Sequence, residues 1–216
     1  MKNKPLLLPL VACLFLFSFK VQSQPLSART FFNTDSITAV YLGIDFTLAK
    51  LINDNESDAK IIQSQQFNGI NELIVKEYKK YDVQKAYHRI NWIVDLKEVE
   101  DRNMKVNPEQ LKSSNDADLT RLNTGDIDKL VSNFNYGPHK GYGVLLIVEG
   151  MDKTKKMSTI WFTLIDMNAK TVLTTARVNG KLGSGFGFRN YWASSIKNAI
   201  NDVEDKVYKE WKTASK

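Results

Sequence analysis

Apolar positions along this chain recur with two periods, and the change from one to the other marks out its elements. From Ile37 to Thr47 they alternate: Thr38, Val40, Leu42, Ile44 and Phe46 share one side of an extended segment, and Ile37, Ala39, Tyr41, Gly43 and Asp45 share the other. Apolar residues on both sides predict a central strand. Ile70, Leu73, Ile74, Glu77 and Tyr78 then follow helical spacing, and Asp82 is placed to cap a short continuation carrying Val83, Ala86 and Tyr87. Trp92, Val94 and Leu96 alternate with Ile93 and Asp95, which predicts a second strand. Asn107-Pro108-Glu109 reads as the start of a short helix. Lys112 to Asp118 reads as a polar linker, and Thr124 as the cap of a helix with the inner stripe Ile127, Leu130, Val131 and Phe134.

The last third begins with NYGPHKGYG, Asn135 to Gly143, where four glycines and prolines in nine residues impose a loop. Three strand signals follow, Val144 to Glu149, Met157 to Ile165 and Thr171 to Val178, joined by connections short enough for antiparallel neighbours. Beyond the run GKLGSGFGFRNYW, Trp192, Ile196, Ala199, Ile200, Val203, Val207 and Trp211 trace one side of a helix of about twenty residues. The expected fold is one α/β domain over residues 37–213. It has a mixed sheet with a carboxyl-terminal antiparallel meander, helices packed on the sheet and a long terminal helix. Residues 24–36, mostly polar around Phe31 and Phe32, are expected to form an extended arm.

The amino terminus changes the picture of charge and compartment. Lys2 and Lys4 precede an apolar run from Pro5 to Phe19, and small residues stand at the cleavage offsets before Gln24, so residues 1–23 read as a secretory signal peptide. Leu10 to Cys13 also resembles a bacterial lipoprotein box, although the chain stays apolar for six residues after Cys13, where a mature lipoprotein turns polar. Removal of the signal takes Lys2, Lys4 and Lys20 and lowers the net charge from +6 to +3. The remaining charges are mixed, with no basic stripe of the kind that binds nucleic acid. Cys13 is the single cysteine, so the mature chain has no disulfide, thiol nucleophile or thiolate metal site.

Asn53 to Asp58 fails as a calcium loop, because Ala59 and Gln65 stand where the turn glycine and the bidentate glutamate belong. Asp45, at the carboxyl end of the first strand, is a weak ligand-site candidate whose simpler role is to cap the following turn. Gly183, Gly185 and Gly187 miss the dinucleotide fingerprint, because position 188 is Phe, and Gly180-Lys181 misses a phosphate loop, because position 175 is Thr. Ser184 lacks the spacing of a nucleophile elbow, and a triad with His139 and Asp45 has nothing else in its favour. His88 reads as a surface residue. Pairs such as Asp95 with Glu98, or Asp116 with Asp118, read as solvated charges. No catalytic residue, metal ligand or cofactor site is expected.

What remains is recognition. Gly183, Ser184, Gly185, Phe186, Gly187, Phe188, Arg189, Asn190 and Tyr191 combine aromatic area with polar donors, a mixture enriched at interfaces and sugar platforms. The competing reading is that the glycines make a tight strand-to-helix turn and the aromatic rings pack back on the core.

The segment WFTLIDMNAKTVLTTARVNGK, with the turn pattern D-x-N-x-K-x-V-L, runs through glycines into FRNYWASSIKNAI. It resembles uncharacterised exported α/β envelope proteins of Bacteroidetes-type bacteria. More distantly, the layout is similar to the periplasmic domain shared by the curli secretion-channel subunit, the penicillin-binding-protein activators and the amino-terminal domain of the Tol translocation protein. The resemblance spans about Ile37 to Trp211, but only Trp161 to Ile200 carries motif-like residues. It implies non-catalytic work in the periplasm or at the outer membrane of a Gram-negative bacterium, through an envelope protein partner, and leaves peripheral outer-membrane association open. It departs at the anchor, since those outer-membrane relatives are lipoproteins and Cys13 is poorly placed. The expected function is partner binding through the Gly180 to Tyr191 loop, with a small ligand, anion or glycan on the same loop as the alternative.

Overall fold

A computed structural model describes residues 25–215; the expected signal peptide, residues 1–23 with Cys13, lies outside the described residues. The chain is mixed α/β, built on a seven-stranded sheet. Its centre is β5, Tyr142–Asp152, buried at every position. Along one edge β5 pairs antiparallel with β6, Met157–Asp166, which in turn pairs antiparallel with β7, Thr171–Lys181. The other edge is shared by two short parallel strands placed end to end. β1, Ala39–Asp45, takes Tyr142 to Ile147, and β2, Lys50–Ile52, takes Gly150 to Asp152. β3, Trp92–Val94, lies outside β1, and the two-residue β4, Lys112–Ser113, lies outside β2. The three strands of the last third are therefore no separate ribbon, since the first of them is the middle of the sheet.

β1 departs from simple alternation. At Gly43, φ is +93°, and the register against β5 shifts between Tyr41 and Ile44. Such a bulge exchanges the faces of everything after it. Ile44 and Phe46 therefore join Ala39 and Tyr41 in one core, while Val40 and Leu42 stay with the other. Two buried asparagines hold the bend. Asn71 accepts from the Ile44 N–H at 2.7 Å and donates to the Ile44 carbonyl at 2.9 Å. Asn103 donates to the same carbonyl at 3.1 Å and accepts from the Phe46 N–H at 2.8 Å. Backbone groups that lose ladder partners inside a core need such substitutes.

Helices cover both faces. On one face lie α1 (Ala28–Asn33), α3 (Phe67–Lys76), α4 (Val83–Ala86), α7 (Gly187–Asp202) and α8 (Tyr208–Ala214), with α2 (Ala59–Ile61) joined to α3 through a π turn. On the other face α5 (Lys97–Asn103) and α6 (Thr124–Ser132) cover Leu145, Ile147 and Trp161. The cap of α6 is Asn123, paired with Asp126 in a capping box, so the expected Thr124 is the first helical residue instead. Lys112 to Asp118 is no plain linker, because it contributes β4 and enters a 3₁₀ turn.

The expected extended arm carries a helix at its centre. Ser27 caps α1, and Phe31 and Phe32 are fully buried among Tyr87, Tyr142, Tyr208 and Trp211. Burial of two large rings, each worth about 1.5–3 kcal/mol, outweighs the weak helix preference of six residues. The terminal helix also differs from a uniform stripe. Between α7 and α8 a π turn, Val203–Val207, carries one extra residue, with Tyr208 N–H bonded to the Val203 carbonyl. The inner position passes from Val207 to Tyr208, and Trp211 remains inside.

Candidate functional site

The run from Gly180 to Trp192 leaves β7 and enters α7 with almost no slack. At Gly180 an added Cβ would overlap the Ser195 carbonyl, so the strand lies directly on the helix backbone. At Gly185 it would come within 2.5 Å of the Asn190 carbonyl, and Gly187 takes φ +77°. These three glycines are required by close approach and by the turn. Polar side chains of α7 then hold the segment. Ser194 Oγ accepts from Gly183 N–H at 2.9 Å, Asn198 donates to the Lys181 carbonyl at 2.7 Å, and Asn190 donates to the Phe186 carbonyl at 3.2 Å.

The aromatic residues divide. Trp192 is buried, and the Phe188 and Tyr191 rings lie 6.3 and 5.3 Å from it, half-buried on the core. Arg189 lies across α3 against Gly69, where an added Cβ would overlap its guanidinium, and its buried Nε has no hydrogen-bond partner. Phe186 is 95% exposed. Gly183, Ser184, Gly185, Gly187 and Asn190 are exposed around it. Among the aromatic and arginine side chains of the nine candidate contact residues, Phe186 alone stands open, while Phe188, Arg189 and Tyr191 are half-buried.

Two clefts flank this tip. One, of about 280 Å³, is bordered by Gly185, Gly187, Phe188 and Tyr191 together with Asp54, Ser57 and Lys153. Burial pushes the Asp54 carboxyl up, but two hydrogen bonds from Ser57, at 2.7 and 3.1 Å, and the Lys153 ammonium outweigh it and hold the pKa below the usual value. Lys153 also pairs with Glu56 at 2.7 Å, the main cause of its raised pKa. The other cleft, of about 420 Å³, is bordered by Ser184, Phe186, Asn190 and Ser194 with Lys80 and Lys197. The amino terminus of α7 between them has no side-chain cap. Its first N–H groups are oriented toward incoming acceptors, with the positive end of the helix dipole behind them.

Asp45 is elsewhere and occupied. Its Oδ1 accepts from Thr47 N–H at 2.8 Å and from the Thr47 hydroxyl, and its Oδ2 accepts from Arg102 Nε at 2.5 Å, which closes the break between β1 and β2. His139 Nε2 lies 2.7 Å from Asp95 Oδ2. Hydrogen bonds from Lys97 N–H and then from His139 hold the Asp95 pKa low, so this residue is not simply solvated. His88 is exposed and stacks on Tyr208 at 4.0 Å. The cleft containing Ser184 is bordered by neither a histidine nor a carboxylate, so the hypothetical triad is not assembled. Among the described residues no three His, Cys, Asp or Glu side chains gather as a metal site, and no helix is long and apolar enough to cross a membrane.

Sequence reasoning passed over the buried acids. Glu149, fully buried on β5, accepts from Leu122 N–H at 2.5 Å, Trp161 Nε1 at 2.9 Å and Arg177 Nε at 3.0 Å, and so fastens the 116–124 segment to the sheet. Its signal was a glutamate inside an otherwise apolar strand run. No protein-family model matches the chain, and a search of curated proteins finds no match.

Proposed function

We propose that the protein is an exported, non-catalytic envelope module that docks a protein partner through the Gly180 to Tyr191 loop, with Phe186 as the anchor. The observation carrying this reading is that a phenyl ring 95% exposed stands on a backbone already fixed by Ser194, Asn198 and Asn190. An isolated exposed ring needs no explanation. A ring on a preorganised tip between two polar clefts is different, since binding would order little more of the chain. The matching partner surface is an apolar pocket with acidic groups toward Lys197. Anchors of this type lose about 2 kcal/mol or more on truncation, roughly a thirtyfold fall in affinity. The experiment is partner capture by wild type and Phe186→Ala at matched thermal stability, with capture expected to fail for the variant. Retained capture would remove the loop from the interface.

A second reading uses the same place differently. The uncapped start of α7 borders a cleft that also holds Lys153 and Ser57, which favours an anionic or glycan group lying against the helix amino terminus. A thermal-shift screen of anions and cell-wall fragments separates the two. A saturable shift that survives Phe186→Ala would support the second reading, and silence would leave the protein partner.

A further inference from the structure

Among the described residues the sheet ends in three edge strands, β7, β4 and β3. An edge strand presents an open row of N–H and C=O groups, and proteins blunt such rows with charge, bulges or brevity. β7 carries exposed Arg177 and Lys181, its register against β6 skips Leu173, and its Lys181 carbonyl already accepts from Asn198 at 2.7 Å. β4 has only two residues, one of them Lys112. β3 is short as well, but Trp92, Ile93 and Val94 bring it no charge and no proline. It is apolar where it meets water: Ile93 is 45% exposed, Val94 43%, and Ile90 just before the strand 71%.

The ladder to β1 fixes which groups of β3 are open. Ala39 N–H donates to the Asn91 carbonyl at 3.1 Å and Asp95 N–H to the Tyr41 carbonyl at 3.0 Å, so Asn91, Ile93 and Asp95 turn their backbone groups toward β1. Trp92 and Val94 turn theirs away, and no described residue bonds to them. We infer that β3 is a self-association edge, to which a second copy of this chain adds its own β3 antiparallel about a two-fold axis at Ile93. In that register Trp92 of each copy opposes Val94 of the other, and the two open donors and two open acceptors of each copy are all paired. Ile93 meets its symmetry mate at the axis and Asn91 opposes Asp95, so no like charges face each other across the strands. Other two-fold registers do less. Centring on Trp92 would oppose Val94 to Ile90, whose carbonyl already accepts from Gln84 at 3.1 Å. Centring on Val94 would oppose Trp92 to Leu96, whose carbonyl already accepts from Glu100 N–H at 2.9 Å.

Register makes the inference testable by crosslinking. Opposed residues at the axis have Cα atoms about 4.5 Å apart, within the reach of a disulfide, so mild oxidation of the folded Ile93→Cys chain is expected to give a covalent dimer. Ile90→Cys is more exposed but lies six residues from its symmetry mate, about 20 Å, and is expected to give none. Wild type, whose one cysteine is Cys13, is the control. Sedimentation velocity over a concentration series is expected to show a monomer–dimer equilibrium for wild type. Val94→Pro removes an outward N–H that β1 does not use, and is expected to leave a folded monomer. Ile93→Lys sets two ammonium groups against each other at the axis and is expected to do the same, which decides the matter if the proline variant fails to fold. A wild type that stays monomeric throughout would overturn the inference, and so would a dimer that survives Ile93→Lys. Ile90→Cys crosslinking as readily as Ile93→Cys would mean random collision and would overturn it too.

Discussion

Phe186 and Phe188 are two positions apart in sequence, and truncating them should have opposite consequences. Phe186→Ala removes a ring surrounded by solvent and is expected to shift stability by no more than about 0.5 kcal/mol. Phe188→Ala uncovers Trp192 and is expected to destabilise by about 1–3 kcal/mol, less than a fully buried phenylalanine because the ring is only half-covered. Urea denaturation of the two variants checks both values. Asp54 gives a prediction in pH. Its folded pKa lies below the unfolded value of about 3.9, so its contribution is fully present above that value and is lost as pH falls through the folded pKa. Stability measured from pH 6 down to pH 3 should therefore fall more steeply for wild type than for Asp54→Asn. Parallel curves would mean that the Ser57 and Lys153 contacts contribute nothing.

At the scale of elements, the terminal helix offers a test of its own construction. The π turn at Val203–Val207 holds one residue more than an α turn, and the stripe on either side stays in phase because that residue is looped out. Deleting exposed Asp205 should let the turn close as ordinary α-helix. Tyr208 and Trp211 would stay inside, with the melting temperature moving by only a few degrees. Deleting Lys197 within regular α7 would instead rotate every following residue by about 100° and unseat Val203, Tyr208 and Trp211. Equal damage from the two deletions, seen by circular dichroism and thermal melting, would contradict the bulge. Such irregularities explain what could and could not be read in the sequence. Strands β5, β6 and β7 and the stripe from Trp192 to Val203 were legible because period and burial agree there. The switch of faces in β1 was not, because a bulge leaves the apolar pattern unbroken. Gly43 was its one visible sign. In the loop, glycine spacing disclosed a tight turn, but the same aromatic composition serves Phe188 against the core and Phe186 in solvent. That division depends on where Trp192 and Gly69 lie in three dimensions.

Across the whole molecule, the described amino-terminal residues are part of the core. Arg89, 5% exposed, donates to the Phe31 carbonyl at 2.9 Å and the Thr34 carbonyl at 2.8 Å, and its guanidinium lies 4.2 Å from the Phe31 ring. α1 is thus fixed from both ends of its aromatic pair, and Phe31→Ala is expected to cost about 3–5 kcal/mol in a single cooperative unfolding transition. A loss under 1 kcal/mol would mean that α1 is peripheral. With the sheet, both helical layers and α1 joined in one packed body, Phe186 is the large apolar side chain most exposed among the described residues. The central claim is that this ring is the docking anchor. It is tested most directly by a photo-crosslinking residue at Ser184, beside the tip, activated in cells that make the full chain. A single discrete adduct that disappears in the Phe186→Ala background, at unchanged melting temperature, is the predicted result. An adduct that survives Phe186→Ala, or none at all from correctly folded protein, would contradict it.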